Sequence, residues 1–223
     1  MVDRTAWRIT SANDWWSAFG KKRGKNGRRP GPPVHDGLCA QVDEHCRARH
    51  VFAAGGPDEL WLTDITGHST AEGKVYMCAI KDAFSGRIVG YSIDSRMKSR
   101  LVVRAIENAV AMRGNVARCV VHSDRGSQFR SRKVLRVLAR HGLVGSMGGV
   151  CAAGDNAAME SFFALLQKNL LDRRAWRTRA ELRIAIVTWI ERTYHRRRRQ
   201  DRLGRLTPIE FETILTTQVA LAA

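Results

Sequence analysis

From residue 59 onward the chain alternates between short apolar runs and longer stretches in which apolar residues recur on one face. Leu60-Trp61-Leu62-Thr63-Asp64-Ile65-Thr66 is an apolar, strand-like run with a single charge set into it. Lys74-Val75-Tyr76-Met77-Cys78-Ala79-Ile80 reads as a second strand and Arg87-Ile88-Val89-Gly90-Tyr91-Ser92-Ile93 as a third, with Ser85-Gly86 as the tight turn of a hairpin between them. Ser99 to Arg113 places Val102, Ala105, Ile106, Ala109 and Val110 on one face, which predicts an amphipathic helix ended by Gly114-Asn115. Cys119-Val120-Val121 is a short, β-branched run that predicts a buried strand leading into His122-Ser123-Asp124. Ser131 to His141 predicts a second helix, with Val134, Leu135, Val137 and Leu138 apolar and Gly142 as its stop, and Leu143 to Met147 a short fifth strand.

A glycine-containing loop, Gly148 to Gly154, then leads to Asp155, placed to cap a helix through Ala157–Leu166 that carries Glu160 among apolar neighbours. Asn156 stands one turn before Glu160 and faces the same side. Arg179 to His195 predicts a further helix with Leu182, Ile186, Trp189 and Ile190 as its buried stripe, and Thr207-Pro208 opens a last short helix with proline in its first turn. The region before residue 57 has a different texture. Trp7, Trp15, Trp16 and Phe19 lie in a short helical or irregular segment, Pro30-Gly31-Pro32-Pro33 bars helix and central strand, and residues 34–56 read as a helix start and a loop.

Charge changes the picture. The chain has 223 residues, 38 Lys and Arg against 21 Asp and Glu, a formal charge of +17 and a pI near 10.8. With 44% hydrophobic residues it can bury a core, and so large an excess points to a polyanionic partner, most simply nucleic acid. The basic residues cluster. Lys21, Lys22, Arg23, Lys25, Arg28 and Arg29 form a run without an acid, read as an arm lying along a phosphate backbone. Asp172 to Arg205 contains twelve Arg against four acids, including Arg196, Arg197, Arg198 and Arg199 in succession. Candidate DNA contacts are these two groups together with Arg125, Asn156 and Lys168. No stretch approaches the length of a membrane span and no apolar segment follows Met1-Val2-Asp3-Arg4, so neither a membrane nor a signal peptide is expected. Five scattered cysteines without a C-x-x-C pair argue against a disulfide framework. His35, Cys39, His45, Cys46 and His50 could ligate zinc, but their spacing fits no standard finger, and a polar linker with incidental His and Cys is the preferred reading.

The candidate chemistry lies in three separated carboxylates. Asp64 falls on the first strand, Asp124 at the end of the fourth, and Glu160 on the following helix, with 35 residues between Asp124 and Glu160. If the two strands are neighbours in one sheet, the aspartates meet and the helix can bring the glutamate. Three such groups repel unless cations hold them, and a hard, oxygen-seeking ion shared with substrate phosphates is the natural one. Two magnesium ions can activate a water or a DNA 3′-hydroxyl and stabilise the leaving oxygen.

Trp61-Leu62-Thr63-Asp64-Ile65-Thr66, His122-Ser123-Asp124-Arg125-Gly126-Ser127-Gln128-Phe129 and Asp155-Asn156-Ala157 with Glu160-Ser161-Phe162-Phe163 resemble the D-D-35-E transposases of bacterial insertion sequences, in particular the OrfB product of the insertion sequence three family. Tyr194-His195-Arg196-Arg197-Arg198-Arg199 and Leu203-Gly204-Arg205-Leu206-Thr207-Pro208 are similar to that family's C-terminal signature. The resemblance implies a ribonuclease H-like fold shared with retroviral integrases, an α/β arrangement with a mixed five-stranded sheet flanked by helices. It implies three regions: a basic N-terminal arm or linker over 1–56, an integrase-like catalytic core over 57–171 and an Arg-rich helical extension over 172–223. It implies Asp64, Asp124 and Glu160 as catalytic residues and ligands of magnesium, with manganese as a substitute, and DNA 3′-end cleavage and strand transfer as the reaction. The implied partners are double-stranded DNA, as transposon ends and as target, further copies of the chain on that DNA, and a helix-turn-helix protein of the OrfA type, separate or fused. The implied place is the bacterial cytoplasm, at the nucleoid. Ala153-Gly154 stand where the family carries Cys-Trp, which removes an aromatic contact to the DNA end, and the region before the core is shorter than in the family, as in a truncated copy. Two other readings stay open: a DNA-binding remnant or repressor that keeps the fold without the chemistry, and a ribonuclease H-type nuclease.

Overall fold

The computed structural model describes residues 32–42, 48–50, 52–148 and 157–222. Two short strands, β1 (Ala40–Val42) and β2 (Ala48–His50), pair antiparallel, where the sequence pattern predicted only a helix start and a loop. The main sheet has five strands: β3 (Leu60–Thr70), β4 (Gly73–Asp82), β5 (Ile88–Asp94), β6 (Val120–Ser123) and β7 (Val144–Met147). Their spatial order is β5-β4-β3-β6-β7. The first three form an antiparallel meander, and β6 and β7 add in parallel through helical crossovers, so the sheet is mixed, as expected.

The helices are α1 (Ser99–Arg113), α2 (Arg132–Arg140), α3 (Ala157–Asn169), α4 (Arg179–Thr188) and α5 (Pro208–Ala222). Strand alternation sorts the core into two layers. Trp61, Cys78, Ile80, Val89 and Val121 face α1 and α2, meeting Leu101, Val102, Ala105, Ile106, Val134, Val137 and Leu138. The opposite face carries Leu60, Leu62, Met77, Ala79 and Ile88, covered by Met159, Phe162 and Leu166 of α3 and by Leu182 and Ile186 of α4. Trp61 and Phe162 are fully buried, and each such side chain contributes on the order of 1.5–3 kcal/mol by its removal from water. The contact of α1 with β5 depends on Gly90, where a Cβ would lie 2.6 Å from that of Ala109.

The helix predicted over Arg179–His195 ends earlier and continues as one π-helical turn, Trp189–Tyr194. In an α-helix, positions five apart diverge; the wider turn returns Trp189 and Tyr194 to the same buried face, their rings 5.7 Å apart. Polar groups lock this turn to β5. The Ile88 N–H donates to His195 Nε2 (3.1 Å), Tyr91 OH to Glu191 (3.1 Å) and Tyr194 OH to the Gly86 carbonyl (2.9 Å). Helix α5 opens with a capping box in which Thr207 N–H donates to Glu210 (2.9 Å) and Glu210 N–H to Thr207 Oγ1 (3.3 Å). Glu212 then ties α5 to the core through Arg87 (2.6 Å) and Arg113.

Candidate active site

Asp64 is the fifth residue of β3 and shares the parity of Leu60 and Leu62, so it faces the α3 side of the sheet. In β6 the parity of Val120 and His122 points to the same side. The parallel register pairs Leu60 with Val120 and Leu62 with His122; continued by two residues, it sets Asp64 level with Asp124. Asp124 lies just beyond the last residue of β6. Its Oδ1 accepts from the Gly126 N–H (2.9 Å), and a Cβ on Gly126 would stand 2.9 Å from that oxygen. The glycine therefore makes room for the carboxylate of Asp124 itself. Asp64 makes the equivalent bond to the Ile65 N–H at 2.7 Å.

Glu160 belongs to the first turn of α3, next to Met159, which is fully buried. Asp124 and Glu160 lie near enough to act on Asp64. Burial drives Asp64 up to about 6, opposed by the bond from Ile65 and assisted by the negative charges of Asp124 and Glu160. In a chain with 38 Lys and Arg, several acids meet a cation: Asp94 meets Arg100 (2.8 Å), Glu107 meets Arg140 (2.6 Å) and Glu181 meets Arg174 (3.0 Å). Among the described residues, Asp64, Asp124 and Glu160 have no ion-pair partner. The all-oxygen donor set suits a hard divalent cation, although among the described residues no three acidic, histidine or cysteine side chains converge closely enough to hold one ion.

Sequence reasoning missed the supports of this site. Lys81, only 7% exposed, reaches from β4 to the carbonyl of Ala158 in the first turn of α3, 3.0 Å from its Nζ. Burial, with the positive charges of Arg202 and Arg198 behind it, brings its amine down to about 8. A lysine directly after the run Tyr76–Ile80 was the available signal. Beneath Asp124, His122 Nδ1 lies 3.0 Å from Ser146 Oγ, which also accepts from the Leu38 N–H (3.0 Å).

The expected DNA contacts fall in several places. Arg125 spends its Nε on the Gly148 carbonyl (2.7 Å), bracing the Asp124 turn against the end of β7. Lys168 is exposed in the last turn of α3. Arg196, Arg197, Arg198 and Arg199 are all exposed just after the π turn, and Arg199 is partly engaged by the Arg205 carbonyl (3.1 Å) and Glu210 (3.6 Å). Asn156, Asp155 and the run from Lys21 to Arg29 lie outside the described residues, as do His45 and Cys46 of the zinc-competent cluster. Cys39 is buried, and burial raises its thiol above the ordinary range. No helix among the described residues is long and apolar enough to cross a membrane.

Residues 54–150 match the integrase core domain family. The chain is 39% identical over 166 residues to the transposase for insertion sequence element IS629 of Shigella sonnei, which covers 74% of this chain and 55% of that protein. It is 34% identical over 185 residues to the transposase InsF for insertion sequence IS3A of Escherichia coli strain K12, covering 83% of this chain and 61% of that one. The chain thus spans between half and two thirds of the length of these relatives. Among solved structures it resembles a chain of the simian T-cell lymphotropic virus intasome in complex with PP2A regulatory subunit B56 gamma, with a TM-score of 0.58 at 16% identity over 82% of this chain and 61% of that chain. It also resembles the HTLV-2 integrase catalytic core domain in complex with magnesium, with a TM-score of 0.55 at 19% identity over 71% of this chain and 99% of that one. At such identities the likeness speaks to the fold, which is ribonuclease H-like.

Proposed function

From the premise that this chain is a relative of the insertion sequence three transposases with an integrase core, we propose that it is a DNA transposase catalysing metal-dependent 3′-end cleavage and strand transfer. The observation that carries the reading is the grouping of Asp64, Asp124 and Glu160, the latter two acting electrostatically on the first, with no ion-pair partner for any of the three among the described residues. Asp64, Asp124 and Glu160 are the ligands proposed for magnesium, with manganese as its substitute. When bound, such ions lower the proton affinity of an attacking oxygen and neutralise charge on the phosphate.

The chain's own residues prepare the site. Asp64 is fixed within a strand hydrogen-bonded on one side to β4, and Lys81 fastens the first turn of α3 to that same strand β4. Ser131 caps α2 by accepting from the Val134 N–H (3.3 Å), which sets where the turn after Asp124 ends. The exposed arginines at 196–198 and Lys168 are proposed to hold phosphates, with the arm from Lys21 to Arg29 and Asn156 adding to them. In end cleavage a water oxygen bonds to phosphorus and the 3′ oxygen of the element end departs as a hydroxyl. In strand transfer that hydroxyl bonds to a target phosphorus and the target's own 3′ oxygen departs.

We further propose that the working assembly contains more than one copy on DNA and uses an OrfA-type helix-turn-helix partner. The test is a strand-transfer assay on labelled element-end DNA in magnesium. Asp64→Asn, Asp124→Asn and Glu160→Gln are each expected to lose cleavage and joining by at least about a thousandfold, while duplex affinity stays within about twofold. A variant that kept near-normal joining would remove its residue from the site.

A further inference from the structure

Away from the carboxylates, the outer side of the α1/α2 layer carries a concentration of charge to which nothing above assigns a role. Helix α2 contributes Arg132, Lys133, Arg136 and Arg140 and no acid, while Val134, Val137 and Leu138 anchor it to the core. Arg132, Arg136 and Arg140 follow one another at intervals of four and make a ridge about 12 Å long. Between α2 and α1 runs a shallow groove of about 290 Å³, floored by Val103 and Val137, with Arg100 on its α1 side and Lys133, Arg136 and Arg140 opposite.

The acids on this face are few and already shared. Glu107 pairs with Arg140 at 2.6 Å, and Asp94 serves both Arg100 (2.8 Å) and Arg104 (3.7 Å). Arg132, Lys133 and Arg136 have no ion-pair partner among the described residues. Arg96 and Lys98, in the turn entering α1, extend the same positive surface. That turn abuts the candidate active site: Gln128 of the Asp124 loop donates to the Met97 carbonyl (3.4 Å), and α2 itself begins where that loop ends. The ridge is thus continuous with the carboxylate-bearing edge of the sheet.

We propose that the α1/α2 face is a second DNA surface, a track that binds the phosphate backbone of a duplex leading away from Asp124. The inference rests on the transposase reading for the presence of DNA. The surface matches a repeating polyanion better than a compact anion. Its cations are spread along a ridge rather than converging on one point, and a duplex presents one charge per about 1.7 Å, or about seven over the ridge. Exposed guanidinium groups, such as those of Arg100 at 53% and Arg140 at 60%, reach phosphates without cost to the core.

The test uses the full 223-residue chain carrying Arg132→Gln, Lys133→Gln and Arg136→Gln together, substitutions that keep helix propensity. Its control carries Lys74→Gln and Arg118→Gln, which remove exposed charge from other parts of the surface. Affinity for a random-sequence 30-base-pair duplex is measured against salt in calcium, without turnover. The groove variant is expected to lower the slope of log K against log salt by about 0.9 for each phosphate that it no longer neutralises, thus by about two to three in all, with an unchanged melting temperature. An unchanged slope, or a decrease per charge as large in the control, overturns the proposal. Element-end DNA in magnesium then separates the two sources of duplex. A donor-end track lowers cleavage and joining together, whereas a target track lowers joining alone. If the unmodified chain, supplied with an OrfA-type helix-turn-helix partner, neither cleaves nor joins while the slope still falls, the DNA track stands and the transposase reading fails.

Discussion

Asp64 illustrates how a buried carboxylate weakens the fold that holds it. Its carboxyl is driven up to about 6 by burial and by the two other acids, against an ordinary value near 3.8. Between about pH 4 and pH 6 the folded chain therefore holds a proton that the unfolded chain has released. Over that window stability falls as pH rises, and the whole deficit is present above pH 6. Asp64→Asn is expected to stabilise the metal-free protein at pH 8 by about 2 kcal/mol, with the gain vanishing near pH 4. Thermal melts in chelator at both pH values read this directly; equal gains at pH 4 and pH 8 would leave the electrostatic cause without support. Magnesium should in turn raise the melting point of the unmodified chain more than that of the variant, since a ligand of the folded state stabilises by mass action.

At the scale of elements, the question is what holds α3, and with it Glu160, against the sheet. Apolar contacts of Met159, Phe162 and Leu166 set the helix on the sheet, and Lys81, reaching from β4 to the Ala158 carbonyl, adds a buried polar tie to its first turn. Lys81→Met keeps the length and apolar stem of the side chain and removes the bond. Stability should change by no more than about 1 kcal/mol, because the missing hydrogen bond is offset by no longer burying a charge. Cleavage should fall tenfold or more with duplex affinity unchanged, and a variant of full activity would show that the apolar contacts suffice.

The elements themselves were readable to differing degrees, for physical reasons. Strands and helices with one buried face announced themselves by their period, as in α1 with Val102, Ala105, Ile106 and Ala109. The tail of β3 beyond Thr66 did not, because Gly67 to Thr70 pair only with β4 and have no two-sided core to impose alternation. Strands β1 and β2 are three residues each, too short for any period. The π turn was hidden because Trp189, Ile190 and Tyr194 fit an α-helical stripe only imperfectly, and sequence alone does not say which way that misfit resolves. The three carboxylates could be picked out singly, but how nearly they meet depends on the β3/β6 register, which no local pattern encodes.

For the molecule as a whole, affinity for DNA and choice of DNA are separate matters. Helices α1 to α4 each bury a face against the sheet, and the outer faces of α1, α2 and α4 offer arginines suited to phosphates more than to base edges. The isolated 223-residue chain is therefore expected to prefer terminal-repeat DNA over scrambled DNA by less than a thousandfold at physiological salt, the lower bound of specific binders. A competition footprint measures the ratio, and a larger one would place base recognition within this chain.

The three carboxylates are held in three different ways. Asp64 is pinned mid-strand, opposite Ala79 in an unbroken ladder that runs from Trp61 to Thr70. Asp124 stands past the last paired residue of β6, on a turn closed by its own side chain, and Glu160 rides on a helix that is a separate rigid piece. The three acids thus come from three separate pieces of chain: a strand, a turn and a helix. Under the proposed reading the geometry of the metal site is set by how those pieces pack on one another, so a substitution that shifts α3 alters the site without touching a strand.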